Sequence, residues 1–419
     1  MSAVLIALAA LSAAAIGAPL FTLLGGLGLA LFHSAGIDGS AVIVEFFRLA
    51  SLPALSAIPL FTAAGFILAE SRAPQRLLGL TQALFGWLPG GLAVVALAAC
   101  ALFTAFTGAS GVTIVALGGL LLPMLLQQGY PERFSLGLLS CTGSLGLLFP
   151  PSLPIILYGL VAQVSIHELF LAALVPGLLL LGTLALYAGI VGARAGVGRT
   201  PFSRERLARA VRAAAWDIPL PFIVVGGIYA GFFTASDAAA VMAAYVLAAE
   251  LLIHRDIPLR KLPGLAARSM ALVGAILVVL GTALGLTNYL VDAQVPDQLF
   301  ALLHAFSPSK ALFLIALNAF LLVVNMLEIY SAIVIAVPIV APIAIQYGID
   351  PVHLGVIFLL NLEIGYMTPP MGLNLLLANR RFERPLGTLY RAAAPFWLIH
   401  TAVLAAVTYL PSLSLSLSK

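Results

Sequence analysis

Apolar residues run in long blocks along this chain and rarely alternate with polar ones. Blocks long enough for a helix to cross a bilayer occupy 52 to 70, 90 to 107, 169 to 193, 215 to 231, 236 to 253, 269 to 290 and 392 to 410. The first block, 3 to 32, lacks the basic start and short apolar core of a cleaved signal peptide. It is expected to be a membrane helix interrupted near Gly17 and Pro19. Two pairs of apolar legs, 90 to 127 and 311 to 346, are each joined by a polar or glycine-rich turn, "FTGASGVT" and "NMLEIYS". Such turns at membrane depth are tolerated where they line a cavity, so the pairs lean toward re-entrant hairpins, although two full spans would preserve the same topology.

Polar blocks fix the orientation. The loops that fall on one side by crossing parity are 71 to 76, 129 to 136, 194 to 214, 254 to 268 and 380 to 391. They hold 17 of the 20 Lys and Arg, which assigns them to the cytoplasm. The densest basic run, Arg194 to Arg212, reads as a cytoplasmic linker between two halves, not as a nucleic-acid patch. By the same walk the first hairpin enters from the cytoplasm and the second from outside.

Composition removes any soluble reading. With 62% hydrophobic residues, 9% charged residues and a mean hydropathy of +1.13, the chain is far from soluble domains, where about a quarter of residues are charged. Cys100 and Cys141 fall inside apolar segments and are expected to be buried thiols. The six histidines are scattered singly, and no HExxH, paired catalytic aspartates or nucleophile elbow appears. "GGLGLA" at 25 to 30 has no strand before it, so it is not a nucleotide loop. An enzyme is not expected.

The halves match at a constant offset of 219 residues. Pro89 pairs with Pro308, Pro123 with Pro342, Gly129 with Gly348, Gly146 with Gly365, and Pro150 and Pro151 with Pro369 and Pro370. Combined with the opposite sides of the hairpins, this predicts two inverted repeats in an all-α polytopic membrane protein, the arrangement many secondary transporters use. The expected divisions are 1 to 193 (hairpin 90 to 127, broken helix 137 to 163), the linker 194 to 214, 215 to 410 (hairpin 311 to 346, broken helix 354 to 379) and a tail 411 to 419.

The proline pairs interrupt their helices. Without amide hydrogens, Pro150 and Pro151 cannot bond the carbonyls of Gly146 and Leu147, and Pro369 and Pro370 cannot bond those of Gly365 and Tyr366. The freed carbonyls are expected to carry partial negative charge, and the half-helix beyond each break to present a positive end, so each break offers cation and anion subsites side by side. Ser110, Thr113, Ser140, Ser144, Ser331 and Thr368 lie close by in sequence. No Lys or Arg falls between Arg76 and Arg133, Arg133 and Arg194, Arg268 and Lys310, or Lys310 and Arg380. An anionic substrate is therefore expected to meet no basic side chain in the core and to rely on co-bound cations. The six asparagines all lie in the last third, and Glu328 and Glu363 sit in the second tip and beside the second break. Glu328 reads either as a proton carrier or as a cap on its own turn.

At "GASGVTIVALGGLLLPMLLQQGYPERFSLGLLSCTGSLGLLFPPSLPIILYG" and "GIDPVHLGVIFLLNLEIGYMTPPMGLNLLLA" the chain resembles the large membrane subunit of tripartite ATP-independent periplasmic (TRAP) transporters, over nearly its whole length. The resemblance implies a multi-pass bacterial inner-membrane importer, driven by Na+, with an elevator mechanism. It also implies a small four-helix membrane subunit on a separate polypeptide and a periplasmic substrate-binding protein that delivers an organic acid such as a C4-dicarboxylate or sialic acid. Two Na+ sites are implied, one from Ser110 and Gly111 with Gly146, Phe149 and Pro151, the other from Glu328 with Gly365, Thr368 and Met371. Substrate would sit near Ser110, Gly143, Ser144, Asn361 and Asn374. A stand-alone Na+- or proton-coupled carboxylate carrier is the nearest other reading.

Overall fold

The computed structural model describes all residues except 1–5, 7–9, 11, 15–16, 89, 109, 199–200, 308, 325–328, 371 and 419. The expected Pro89–Pro308 match and the expected contributions of Glu328 and Met371 lie outside the described residues. Every regular element is helical among the described residues.

In chain order the first elements are α1 (Leu20–Ser34), α2 (Ser40–Ala50), α3 (Ala57–Glu70) and α4 (Ala73–Phe85). The expected interruption before α1 is present, with Gly17 at φ +85° and Pro19 capping the helix. The first hairpin is α5 (Gly91–Thr107) and α6 (Ser110–Gln127). The first broken helix follows, as α7 (Glu132–Cys141), a 3-10 turn (Leu145–Leu148) and α8 (Leu153–Ala162), bent by 47°. Next come α9 (Ile166–Arg194), the linker helix α10 (Arg204–Ala213), α11 (Pro219–Tyr229), α12 (Ala235–Leu247) and α13 (Leu262–Asp292). After α14 (Val295–Phe306), the second hairpin is α15 (Lys310–Val324) and α16 (Ile329–Gln346), and the second broken helix α17 (Pro351–Gly365) and α18 (Leu373–Phe382). The chain ends in α19 (Leu386–Tyr409) and the short α20 (Ser412–Leu415).

Seven described helices are long and apolar enough to cross a membrane, or nine if each of two bent pairs is one span. Their outward faces carry exposed large apolar residues such as Val115, Leu186, Leu252 and Leu398, as lipid-facing surfaces do. The first hairpin legs are short. At 17 and 15 residues, α5 and α15 extend about 25 and 22 Å at 1.5 Å per residue, less than the ~30 Å hydrocarbon core.

The 219-residue offset holds in the helix boundaries. The described ends of α6 and α16 coincide under it, and each carries its proline at the same interior position, Pro123 and Pro342. Both hairpins close with the same cap. Gly129 (φ +88°) and Gly348 (φ +69°) take the left-handed conformation glycine tolerates, while the amides of Tyr130 and Ile349 reach back to the carbonyls of Leu125 and Ala344 at 3.1 and 3.0 Å. Both proline pairs contain a cis peptide bond.

The two halves exchange partners. Helix α8, beyond the first break, packs on α16 of the second hairpin, and α18, beyond the second break, packs on α6 of the first. Likewise α7 lies against α19 and α17 against α9. Such reciprocity is what a two-fold relation between repeats produces. A second body is formed by α1, α2 and α3 packed on α13, with α3 also on α12.

Candidate functional site

The first break is held against the first hairpin by close backbone approach. Gly146 lets the 3-10 turn press on α5, where a Cβ would lie 2.4 Å from both the Ala101 carbonyl oxygen and the Ala105 amide nitrogen. Gly143 sits against the tip, where a Cβ would fall 3.0 Å from the Ser110 carbonyl oxygen. Thr104 donates to the Gly143 carbonyl at 2.8 Å and also meets the Thr113 hydroxyl, so three segments share one buried hydrogen-bonded corner. Ser110, Ser140 and Ser144 are buried around it, the last two donating to the carbonyls of Leu136 and Cys141. The hydroxyl oxygens of Thr107 and Thr142 are buried with no hydrogen-bond partner among the described residues. Ser152 caps α8 through the amide of Ile155.

The structure corrects the expectation of freed carbonyls. Ahead of the first break the chain tightens, and the amide of Phe149 bonds the Gly146 carbonyl at 3.1 Å. Ahead of the second, the Thr368 amide bonds Gly365 at 3.1 Å, and the Asn374 amide crosses the break to bond Tyr366 at 3.1 Å. Three of the four carbonyls thus have a donor, because i to i+3 bonds and a cross-break amide replace what proline cannot supply. Each keeps its second lone pair. Leu147 and Tyr366 both have prolines at the two positions that could have answered them along the helix, and only Tyr366 is answered by an amide from across its break.

At the second break the Thr368 hydroxyl donates to Ile364 at 2.6 Å and accepts from Trp397 Nε1 at 3.0 Å, tying the break to α19. Its prolines are exposed, whereas Pro150 and Pro151 are buried. Tyr390 donates to the Pro370 carbonyl at 2.9 Å. Both side-chain amide atoms of Asn374 are buried without a partner among the described residues. Asn361 instead pairs with Asn318 at 2.7 Å and with the Ile357 carbonyl. Glu363 and His400 are fully buried and face each other at 3.8 Å.

One cavity joins the two halves. Its volume is ≈ 550 Å³, and it is lined by Ser110 and Gly111 of the first tip, Leu147 before the first break, Ile329 and Tyr330 at the start of α16, and Tyr366, Leu373 and Leu377 flanking the second break. The Tyr330 hydroxyl donates to the Gly108 carbonyl at 3.3 Å, which bridges the tips directly. Leu377 closes on the first tip, 2.5 Å from where a Cβ of Gly111 would stand. The remaining wall comes from α3 (Phe66, Ala69, Glu70) and α13 (Leu265, Arg268, Leu272). Gly143, Ser144, Asn361 and Asn374 are buried and do not line this cavity. A larger cavity of ≈ 790 Å³ lies elsewhere, among Arg48, Gln163, His167 and Asp237, and touches neither tip nor break.

Arg268 overturns a second expectation. The sequence places it at the edge of a loop, with an anion expected to meet no basic side chain in the core, yet it stands on the cavity wall with Glu70, the only other charged residue among the described lining. The signal was present as a helical face: Leu265, Arg268 and Leu272 recur at the i, i+3, i+7 spacing of one helix side. The side chains of Tyr330 and Tyr366 carry no such signal, since neither stands out within its apolar run.

A helical membrane protein with paired hairpins, paired broken helices and a polar-tipped cavity between them is a secondary transporter in architecture. The chain matches, over residues 4–413, the family described as tripartite ATP-independent periplasmic transporter, DctM component. It is 36% identical to a C4-dicarboxylate TRAP transporter large permease protein of Pseudomonas aeruginosa, covering 94% of this chain and 92% of that one. It is 35% identical to an ectoine/5-hydroxyectoine large permease of Ruegeria pomeroyi (87% and 85%) and 33% identical to an isethionate permease protein, DctMQ, of Oleidesulfovibrio alaskensis (93% and 62%). The crystal structure of the Alcanivorax borkumensis YdaH transporter shares the fold, with a TM-score of 0.62 at 16% identity over 88% of this chain and 86% of that one. The chain belongs to the DctM family of TRAP transporter large permeases. It is a multi-pass inner-membrane transport protein and not an enzyme.

Proposed function

We propose that the chain is the transport subunit of a Na+-driven importer for small organic anions, C4-dicarboxylates or similar acids. The observation that supports this most is the convergence of both hairpin ends and both breaks on one cavity. The names of its relatives include C4-dicarboxylate and isethionate, both organic anions.

In this reading the two repeats have opposite orientation, and their hairpins and broken helices move as an elevator against the body built on α13. Na+ is a co-transported ion. The first site would draw on Ser110, Gly111, Gly146, Phe149 and Pro151, and the reading is supported by two buried hydroxyl oxygens close by in the chain, Thr107 and Thr142, that have no hydrogen-bond partner among the described residues. A desolvated hard cation would answer those oxygens. The second site would draw on Gly365 and Thr368 together with Glu328 and Met371. A periplasmic binding protein delivers the acid, and a separate small membrane subunit accompanies the chain.

Uptake by proteoliposomes tests this. Rapid succinate uptake is expected only with Na+ inside the driving gradient and the periplasmic protein present. Full uptake with choline in place of Na+ would sink the coupling, and full uptake without the periplasmic protein would favour a stand-alone carrier.

A further inference from the structure

The cavity between the tips holds one cation, Arg268, and one anion, Glu70, among its described lining residues. Their contact is weak: Arg268 reaches a single Glu70 oxygen at 3.5 Å, and 63% of the arginine side chain is exposed. The other Glu70 oxygen is already held by Lys261 at 3.0 Å. A half-exposed pair at that distance gains little and is readily exchanged. The guanidinium therefore keeps most of its five donors for another acceptor, and its planar fork matches a carboxylate or sulfonate in two parallel bonds.

Its position gives that capacity a use. Arg268 stands on the same face of α13 as Leu265 and Leu272, so its head is carried by the cavity wall. The loops on either side of this mouth, 71 to 76 and 254 to 268, belong to the basic set that charge bias assigns to the cytoplasm. An anion in the cavity has a neutral tip on one side and this arginine on the other.

We propose that Arg268 is a specificity-determining residue: it binds the anionic group of the cargo at the cytoplasmic mouth, exchanging Glu70 for the substrate. This rests on the organic-anion reading above. It adds a side-chain cation to a cavity whose described lining is otherwise apolar apart from Glu70, Ser110 and two tyrosines.

The test is equilibrium binding of radiolabelled succinate to the full chain with its small subunit in nanodiscs, which expose both faces. Arg268→Gln should raise the Kd at least about tenfold, the size of one lost hydrogen bond to a charged group. Arg268→Lys should recover part of the loss, because a point charge replaces the fork. Lys261→Gln, which frees Glu70 without touching the cavity wall, should leave the Kd within about twofold. Unchanged succinate binding in Arg268→Gln, in protein that keeps the native melting temperature, would overturn the assignment and leave the organic-anion reading standing. Binding of only uncharged solutes by the unaltered protein would overturn both.

Discussion

At the first break the proline pair is buried, with Phe149 extended before it and Gly146 pressed on the backbone of α5; at the second the matching prolines are exposed and the break is tied outward to α19 through Trp397. The same residues at the same offset thus sit in different surroundings. The first break shares a buried corner with its own hairpin through Thr104, Thr113 and Gly143. The second closes on itself, with the Asn374 amide bonding Tyr366 across the gap and Gly372 donating to Thr368 at 3.0 Å. Paired sequence devices need not be in equivalent states within one conformation, and an inverted pair that alternates between two access states is expected to show such a difference.

Substitutions can break that comparison. The largest effect belongs to Gly146→Ala, whose methyl would strike backbone atoms that cannot move aside; destabilisation of about 3 kcal/mol is expected, read as the melting temperature of the purified protein. Gly143→Ala should cost less, because its nearest contact at 2.7 Å is the Ile114 side chain, which can rotate. Thr104→Val removes the donor to a buried carbonyl and should cost about 1–3 kcal/mol. Trp397→Phe, at the part-buried second break, should cost about 1 kcal/mol. The smallest change is expected for Pro369→Ala, within about 0.5 kcal/mol at an exposed site, against a clearly larger shift for Pro150→Ala. Equal shifts for the two proline variants in the same melting assay would mean that the breaks are equivalent after all.

Much of the fold was legible because it rests on local chemistry. Apolar block lengths marked five of the seven span-length helices and the Pro-Pro pairs marked the breaks, but the blocks 90 to 107 and 215 to 231, expected to be long enough to cross, fold into α5 and α11, helices of 17 and 11 residues that are too short to do so. The fate of the carbonyls was not legible, because missing amides say nothing about which other amides answer: Phe149 and Thr368 do so by tightening the turn, Asn374 by reaching across. Contacts between distant segments were also hidden. Thr104 lies 39 residues from the carbonyl it bonds, and Arg268 meets Glu70 and comes to share a cavity with the first tip only after α3, α6 and α13 have packed. Asn361 was legible as polar but not as Asn318's partner.

The central claim, that the buried first break with its hairpin tip holds a co-transported Na+, is tested most directly by the melting temperature in NaCl against choline chloride at equal ionic strength, without substrate. An ion that binds only the folded state stabilises it by about 1.4 kcal/mol at ten times its Kd. The unaltered protein should therefore melt higher in Na+, and Pro150→Ala should lose most of that difference because an amide returns to compete for the carbonyls before the break. Equal melting temperatures in the two salts for the unaltered protein, or an undiminished Na+ effect in Pro150→Ala, would contradict it.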